Sequence, residues 1–476
     1  MLSEIELITI LLPSVLFLSL AFIAKMKDPL SVFIVFWLLF PNLATGVIGI
    51  FGVPMFTYLE IWCGLLLLII ASVVKQKNRF ENKPEAISRH YLISEKSLVV
   101  LLFATLVIQY SWSTWVSSEV LVNPVKEFTA AILFKNIAPE FIGLIFFYTC
   151  YKLISKPHQI EKLLTIFAIF PGLLFLEYVY VLSNLPFSGT LKSFSINQWS
   201  NFNSLFLNDY NILGLVCGVG GLVSLYKIKL KGNGLWVLMF LISSFLVLLN
   251  LKRGAIVSYG LAALVLFYLG WFRHWKFKKK FLVITVFPSV CIFLVSFFSE
   301  DIIRNLVGSD YAVGRILNAA SADSLGVRLG IQLKTLEALG SVWPLGFGND
   351  LGQYFFLGQH EKVFNVFDSA LVEGYYRSIA SNTHNLYLEQ LVSYGLLGGI
   401  FALATIIFVI HSLFRARFYF RSDTNESMFY ALVVSLVVFI AIFYNFLAYP
   451  RVYVIVFLVI HAVAVVNNQV KRIKYA

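Results

Sequence analysis

Charge is what this sequence has least of. Only 13% of its 476 residues are Asp, Glu, Lys or Arg, against about a quarter in an average soluble chain, and 59% are hydrophobic. That excludes a water-soluble globule with a hydrated, charged surface. Cysteine is scarce too. Cys63, Cys150, Cys217 and Cys291 all fall within apolar runs and none pairs at zinc-like spacing, so neither a disulfide framework nor a metal site is supported. No Asp-x-Asp occurs, the usual carboxylate pair for a divalent ion in nucleotide-sugar glycosyltransferases. The chain also lacks a Walker sequence and a dinucleotide fingerprint, so neither an ATP-driven pump nor a redox enzyme is indicated. The first apolar run follows Ser-Glu-Ile-Glu instead of a basic stretch, and no small-residue cleavage site follows it; no cleavable signal peptide is expected.

What is present is a succession of apolar runs of about 18 residues or more, each long enough to cross a bilayer. The expected fold class is an all-α integral membrane protein of about 12–13 transmembrane helices with one large outer-face (periplasmic) loop. Thirteen spans are expected, at 5–24, 30–51, 56–74, 97–115, 137–153, 163–183, 208–226, 234–251, 254–272, 281–298, 384–413, 428–448 and 452–468. Three parts follow: residues 1–298 with helices one to ten, 299–383 as the large loop, and 384–476 with the last three helices and a tail. The loops alternate in character. Segments such as "YKIKLKGN", "RHWKFKKK", "RARFYFR" and the tail "KRIKY" fall on one side, which holds most of the 37 lysines and arginines. By the positive-inside rule that side is cytoplasmic, with the amino terminus outside and the carboxyl terminus inside. The net charge of +12 therefore orients the protein and calls for no nucleic-acid partner.

The long exposed segments lie on the other face, at 116–136, 184–207 and above all 299–383. A connection of that last length usually carries function. Within it, "SLGVRLGIQLKTLEALGS" reads as an amphipathic helix. Leu325, Leu329, Leu333, Leu336 and Leu339 form one face, with Arg328, Gln332 and Thr335 on another. "WPLGFGND" then breaks it. A helix lying on the membrane surface explains the pattern equally well.

Ionisable residues inside spans are costly unless paired or hydrated. Glu60, Glu140, Glu177, Asp209 and Glu389 all fall in the outer halves of their spans. Arg253 stands at the outward hairpin between spans eight and nine, beside Lys252. Pairing with one of those carboxylates and binding of an anionic ligand are both open. Of the histidines, His461 is placed mid-membrane, where an interhelical hydrogen bond is the usual explanation. Only His360 and His384 can reach the outer face. His384 opens a span, with Asn382, Thr383 and Asn385 available to cap it. Capping and catalysis are equally open for it alone. The "YGLLGG" run farther along reads as close helix packing.

Three segments, in order, resemble the O-antigen polymerase and O-antigen ligase superfamily of bacterial envelope glycosyltransferases. They are "LLNLKRGAIVSYGLAALVLFYLG", "VRLGIQLKTLEALGSVWPLGFGND" and "HNLYLEQLVSYGLLGG"; "NDYNILGLVCGVGGLVSL" is similar to an earlier element. The resemblance implies a GT-C-type architecture and a glycan donor on undecaprenyl pyrophosphate, presented at the outer face of the plasma (inner) membrane. An acceptor hydroxyl attacks the anomeric carbon with inversion, and the lipid pyrophosphate leaves. No cofactor and no metal are implied. The leaving group calls for permanently cationic donors, which assigns Arg253 and Arg328. The acceptor calls for a base with a pKa near 7, which assigns His384. Lys252, Arg377, Asp209, Glu389 and Asn385 are assigned to substrate binding. The chain departs from the family's usual pattern in its outside amino terminus, its larger number of spans and its Gln332-Leu333 where an aromatic is common.

The implied function is a polysaccharide polymerase joining lipid-linked repeat units. The alternative is a ligase that passes the glycan to lipid A-core or a protein. A transporter of the same lipid-linked sugars is the rival from another class; it predicts paired repeats with broken helices, and no convincing halves occur. The implied partners are the lipid-linked donor, a glycan or lipid A-core acceptor and membrane lipid, with a flippase and a chain-length regulator as further candidates.

Overall fold

The computed structural model describes residues 29–39, 49–50, 53–54, 93–119, 130–183, 210–249, 253–271, 344, 386–417, 425–444 and 453–475. They form α1 (Pro29–Leu39), β1 (Gly49–Ile50), β2 (Val53–Pro54), α2 (Glu95–Glu119), α3 (Ala130–Leu153), α4 (Pro157–Ser183), α5 (Tyr210–Lys231) and α6 (Gly234–Leu249). α7 (Arg253–Leu266) follows and runs into a π-helical turn (Phe267–Trp271). Then come α8 (Leu386–Ala416), α9 (Asn425–Tyr444) and α10 (Tyr453–Tyr475). The chain is an all-α integral membrane protein. Among the described residues, six helices are long and apolar enough to cross a membrane: α4, α5, α7 with its π turn, α8, α9 and α10.

Two expectations change. The span expected at 30–51 is helical over Pro29–Leu39, and Gly49–Ile50 is a strand paired antiparallel with Val53–Pro54. Gly and Pro at Gly49, Gly52 and Pro54 suit a tight hairpin better than a helix. The outer connection expected at 116–136 shortens at both ends, because α2 runs to Glu119 and α3 begins at Ala130. Ala130 and Ala131, strong helix formers, suit that early start. The spans expected at 5–24, 56–74 and 281–298, the outer segment at 184–207 and the amphipathic helix over 325–339 lie outside the described residues.

Two helices form the axis of the bundle. α5 and α10 are each 83% buried over their apolar windows, whereas α8 is 28% buried and leaves most of its surface for lipid. Around α5 stand α4, α6, α7 and α9; around α10 stand α3, α8, α9 and α4. In lipid no hydrophobic force pulls helices together, so close approach depends on small residues. The sequence of α5 supplies them as "GLVCGVGG". Gly218 lies against the Phe439 ring of α9, Gly221 against the Tyr259 ring of α7, and Gly220 against Pro171 and the Phe167 carbonyl of α4. Pro171 sits inside α4 and has no N–H, so the Phe167 carbonyl four residues back loses its intrahelical donor. Gly220 packs on that freed carbonyl.

Hydroxyls tie the remaining helices together. Ser435 of α9 donates to the Ala262 carbonyl of α7 at 2.7 Å, and Tyr430 of α9 to the Leu413 carbonyl of α8 at 3.0 Å. Ser244 of α6 and Tyr259 of α7 share a hydrogen bond of 2.8 Å.

Candidate active site

The alternation of helix directions brings the start of α5, the α6–α7 junction and the start of α8 to one end of the bundle. This is the end that the charge pattern assigns to the outside. Arg253 is the first residue of α7, so the Arg253-Gly254 pair opens a helix as the resemblance implies. Asp209 immediately precedes α5, and Lys252 immediately precedes α7. Glu389 lies in the first turn of α8, and His384 and Asn385 immediately precede that helix in the chain. Side-chain positions at Arg253 and Glu389 are outside the described set, as are Lys252, Asp209, Arg328, Arg377, His384 and Asn385 altogether.

One residue of the long connection expected at the outer face is described, and it touches α8. The Leu396 N–H donates to the Pro344 carbonyl at 2.7 Å. Pro344 belongs to the "WPLGFGND" stretch of the second resembling segment, and Leu396 to the third. The bond is possible because α8 is broken one residue earlier, where Gly395 has φ 55° and ψ −139°. A residue with a Cβ is strained there by about 1–3 kcal/mol. The run "YGLLGG" is therefore a joint and not merely a packing surface, which corrects the expectation. The physical reason is that an N–H released from a helix ladder needs another acceptor, and the Pro344 carbonyl supplies it. Residues 396–416 alone rise about 31 Å at 1.5 Å per residue, close to the roughly 30 Å of a hydrocarbon core. The arm over 386–394 is thus surplus to the crossing.

The opposite end of the bundle holds polar pairs whose members, apart from His461, the sequence placed in loops. Glu95, at the start of α2, meets His461 Nδ1 of α10, and His461 Nε2 lies 3.1 Å from the Ile154 carbonyl just after α3. A carbonyl can only accept, so Nε2 carries a hydrogen, and one further proton shared between Nδ1 and the Glu95 carboxyl satisfies both groups. His461 is 2% exposed and Glu95 8%. The interhelical hydrogen bond expected of His461 is present, but not at mid-membrane. α10 sits inward relative to α3, with its first residue Tyr453 packed on Gly143, midway along α3. His461 is thereby carried to the level of the inner helix ends. At the same end of the bundle, Tyr226 of α5 donates to Glu161 of α4 at 2.7 Å, and Lys227 Nζ lies 3.3 Å from the other Glu161 oxygen. Glu95, Glu161 and Lys227 sit at helix ends next to basic loops, so composition alone did not separate them from the solvated charges around them.

Among the described residues no cluster of His, Cys, Asp and Glu could hold a metal ion. The family described as O-antigen ligase matches residues 238–403, about a third of the chain. The matched stretch runs from within α6, through α7 and Pro344, to the part of α8 beyond Gly395. It includes every assigned site residue except Asp209. No curated protein matches the chain.

Proposed function

With residues 238–403 supporting the O-antigen ligase and polymerase superfamily of multi-pass membrane glycosyltransferases, we propose that the protein is a polysaccharide polymerase. It joins undecaprenyl-pyrophosphate-linked oligosaccharide repeat units at the outer face of the plasma membrane. The single observation that carries the glycosyl-transfer part of this reading is the family match, which polymerases and ligases share. It covers the two segments in which Arg253 and His384 were assigned, and the bond between Leu396 and Pro344 joins the second of them to the outer segment.

The chemistry assigns roles as follows. His384 accepts the proton of the acceptor hydroxyl as that oxygen attacks the anomeric carbon. The carbon–oxygen bond to the lipid pyrophosphate breaks with inversion, and Arg253 and Arg328 balance the charge that develops on the leaving group. Removal of one such donor costs about 10²–10³ in kcat. Lys252 and Arg377 hold the remaining pyrophosphate charge. Asp209, Glu389 and Asn385 orient the sugars. The pyrophosphate-linked donor already carries the energy of the reaction, so ATP has no step to perform, and the two arginines take the leaving-group charge that a divalent ion would otherwise balance.

A ligase that passes the glycan to lipid A-core or a protein is the second reading, favoured by the description of the matched family itself. Purified protein in detergent, given a synthetic undecaprenyl-pyrophosphate oligosaccharide without nucleotide, separates the two. A ladder of products supports the polymerase, and transfer only after lipid A-core is added supports the ligase. Inertness with both, alongside movement of the donor across vesicles, would refute both. His384→Ala and Arg328→Ala are expected to abolish transfer with expression unchanged.

A further inference from the structure

Gly395 is the one interior position of a described helix whose backbone leaves the helical region, and it does so with a positive φ that only glycine adopts readily. In an unbroken helix the Leu396 N–H would reach the Val392 carbonyl four residues back. Here it reaches Pro344, 52 residues earlier in the chain. The other backbone–backbone bonds outside helices and strands among the described residues span four residues or fewer. This is thus a tertiary contact made by the backbone, independent of the side chain at either partner and dependent on a glycine at 395.

We propose that Gly395 is a positioning residue for glycosyl transfer. The break latches the Pro344 turn of the outer segment onto the membrane-crossing part of α8 and so sets the direction of the arm over 386–394. That arm carries Glu389 in its first turn and continues directly from His384 and Asn385. An unbroken α8 would hold the same residues on a different axis with the Pro344 acceptor unused. The inference rests on the reading of His384 as the base, and it adds a backbone contact, Leu396 to Pro344, that fixes the helix leading on from that residue. Misplacement of a catalytic group by about 1 Å costs on the order of 10²-fold in rate with little change in binding.

The test compares Gly395→Ala with wild type in two measurements. The first is transfer from undecaprenyl-pyrophosphate oligosaccharide, followed to give kcat and the donor KM separately. The second is disulfide formation between Pro344→Cys and Leu396→Cys on mild oxidation, read as a mobility shift against each single-cysteine variant. A backbone hydrogen bond places the two Cα atoms within the roughly 4.4–6.8 Å that a disulfide bridges. Alanine is strained in the broken geometry and favours the unbroken helix, so the Gly395→Ala protein is expected to fold while kcat falls about 30-fold or more and KM stays within about threefold. The disulfide forms with glycine at 395 and is lost with alanine. Gly260→Ala in α7 is the matched control, since an added Cβ there meets nothing within 4 Å and transfer should not change. Wild-type transfer with an equally active Gly395→Ala variant, a change in KM alone, or a disulfide that persists with alanine at 395 overturns the positioning role and leaves the proposed function standing. A wild-type protein that transfers to no acceptor overturns the function, and the positioning role with it.

Discussion

Replacing Glu95 by alanine removes one half of a polar pair held between α2 and α10 at the end of the bundle opposite the start of α8. His461 is 2% exposed and Glu95 8%, so solvent cannot take over the lost contact. The Ile154 carbonyl still holds Nε2, at 3.1 Å, and this keeps the ring from swinging to another partner. Breaking a buried pair on one side costs about 3–5 kcal/mol, because the remaining group is stranded. Glu95→Ala and His461→Ala are each expected to destabilise by about that amount. The double variant should cost clearly less than their sum. Glu95→Gln is the informative intermediate: its amide can donate to Nδ1 and preserve the hydrogen bond without a charge, at about 1 kcal/mol or less. Reversible unfolding of the purified protein in detergent or bicelles, followed over the full double-mutant cycle, gives the coupling directly. A coupling below about 0.5 kcal/mol would refute the pairing, since independent sites add to within that margin.

Gly220→Ala would drive a methyl group into the Phe167 carbonyl and the Pro171 ring, neither of which can rotate away, and should lower stability by about 1–3 kcal/mol in a thermal-shift measurement. Tyr226→Phe deletes one of the two donors that hold Glu161 and should cost about 1–3 kcal/mol, whereas Ser435→Ala leaves the Ala262 carbonyl its helical partner and should cost only about 0.5–1.5 kcal/mol. Chelation with EDTA should leave the transfer rate unchanged; a loss restored by a divalent ion would overturn the metal-independent step.

The helices from 97 to 271 and from 386 to 468 were legible because long apolar runs need no partner to declare themselves, and six of them are long and apolar enough to cross a membrane. Their ends moved by a few residues, as expected where helices continue past the apolar core; α10 runs on to Tyr475 through "NNQVKRIKY". The π turn at Phe267–Trp271 gives no sequence signal; in the fold its Gly270 lies against Met428 of α9. Nor did the sequence separate Glu95, Glu161 and Lys227 from ordinary loop charges, because what distinguishes them is which helix end stands opposite. The joint at Gly395 was half visible. Its glycines were noted, but packing and breakage have the same composition, and only the acceptor at Pro344 decides between them. Arg253 and Glu389 are at helix starts, as their positions in the sequence suggested, and the matched stretch contains both.

The Leu396 amide has one more use. A backbone proton in the middle of a helix ordinarily exchanges with solvent deuterium only when that helix opens. Here the proton is held by a carbonyl that belongs to another part of the chain. Its exchange rate therefore reports release from Pro344, while the amides of the turns that follow report opening of α8 itself. Anything that pulls the Pro344 turn away should speed exchange at this single amide and leave its helical neighbours slow. The protein thus carries its own label for the docked state, readable without any added probe.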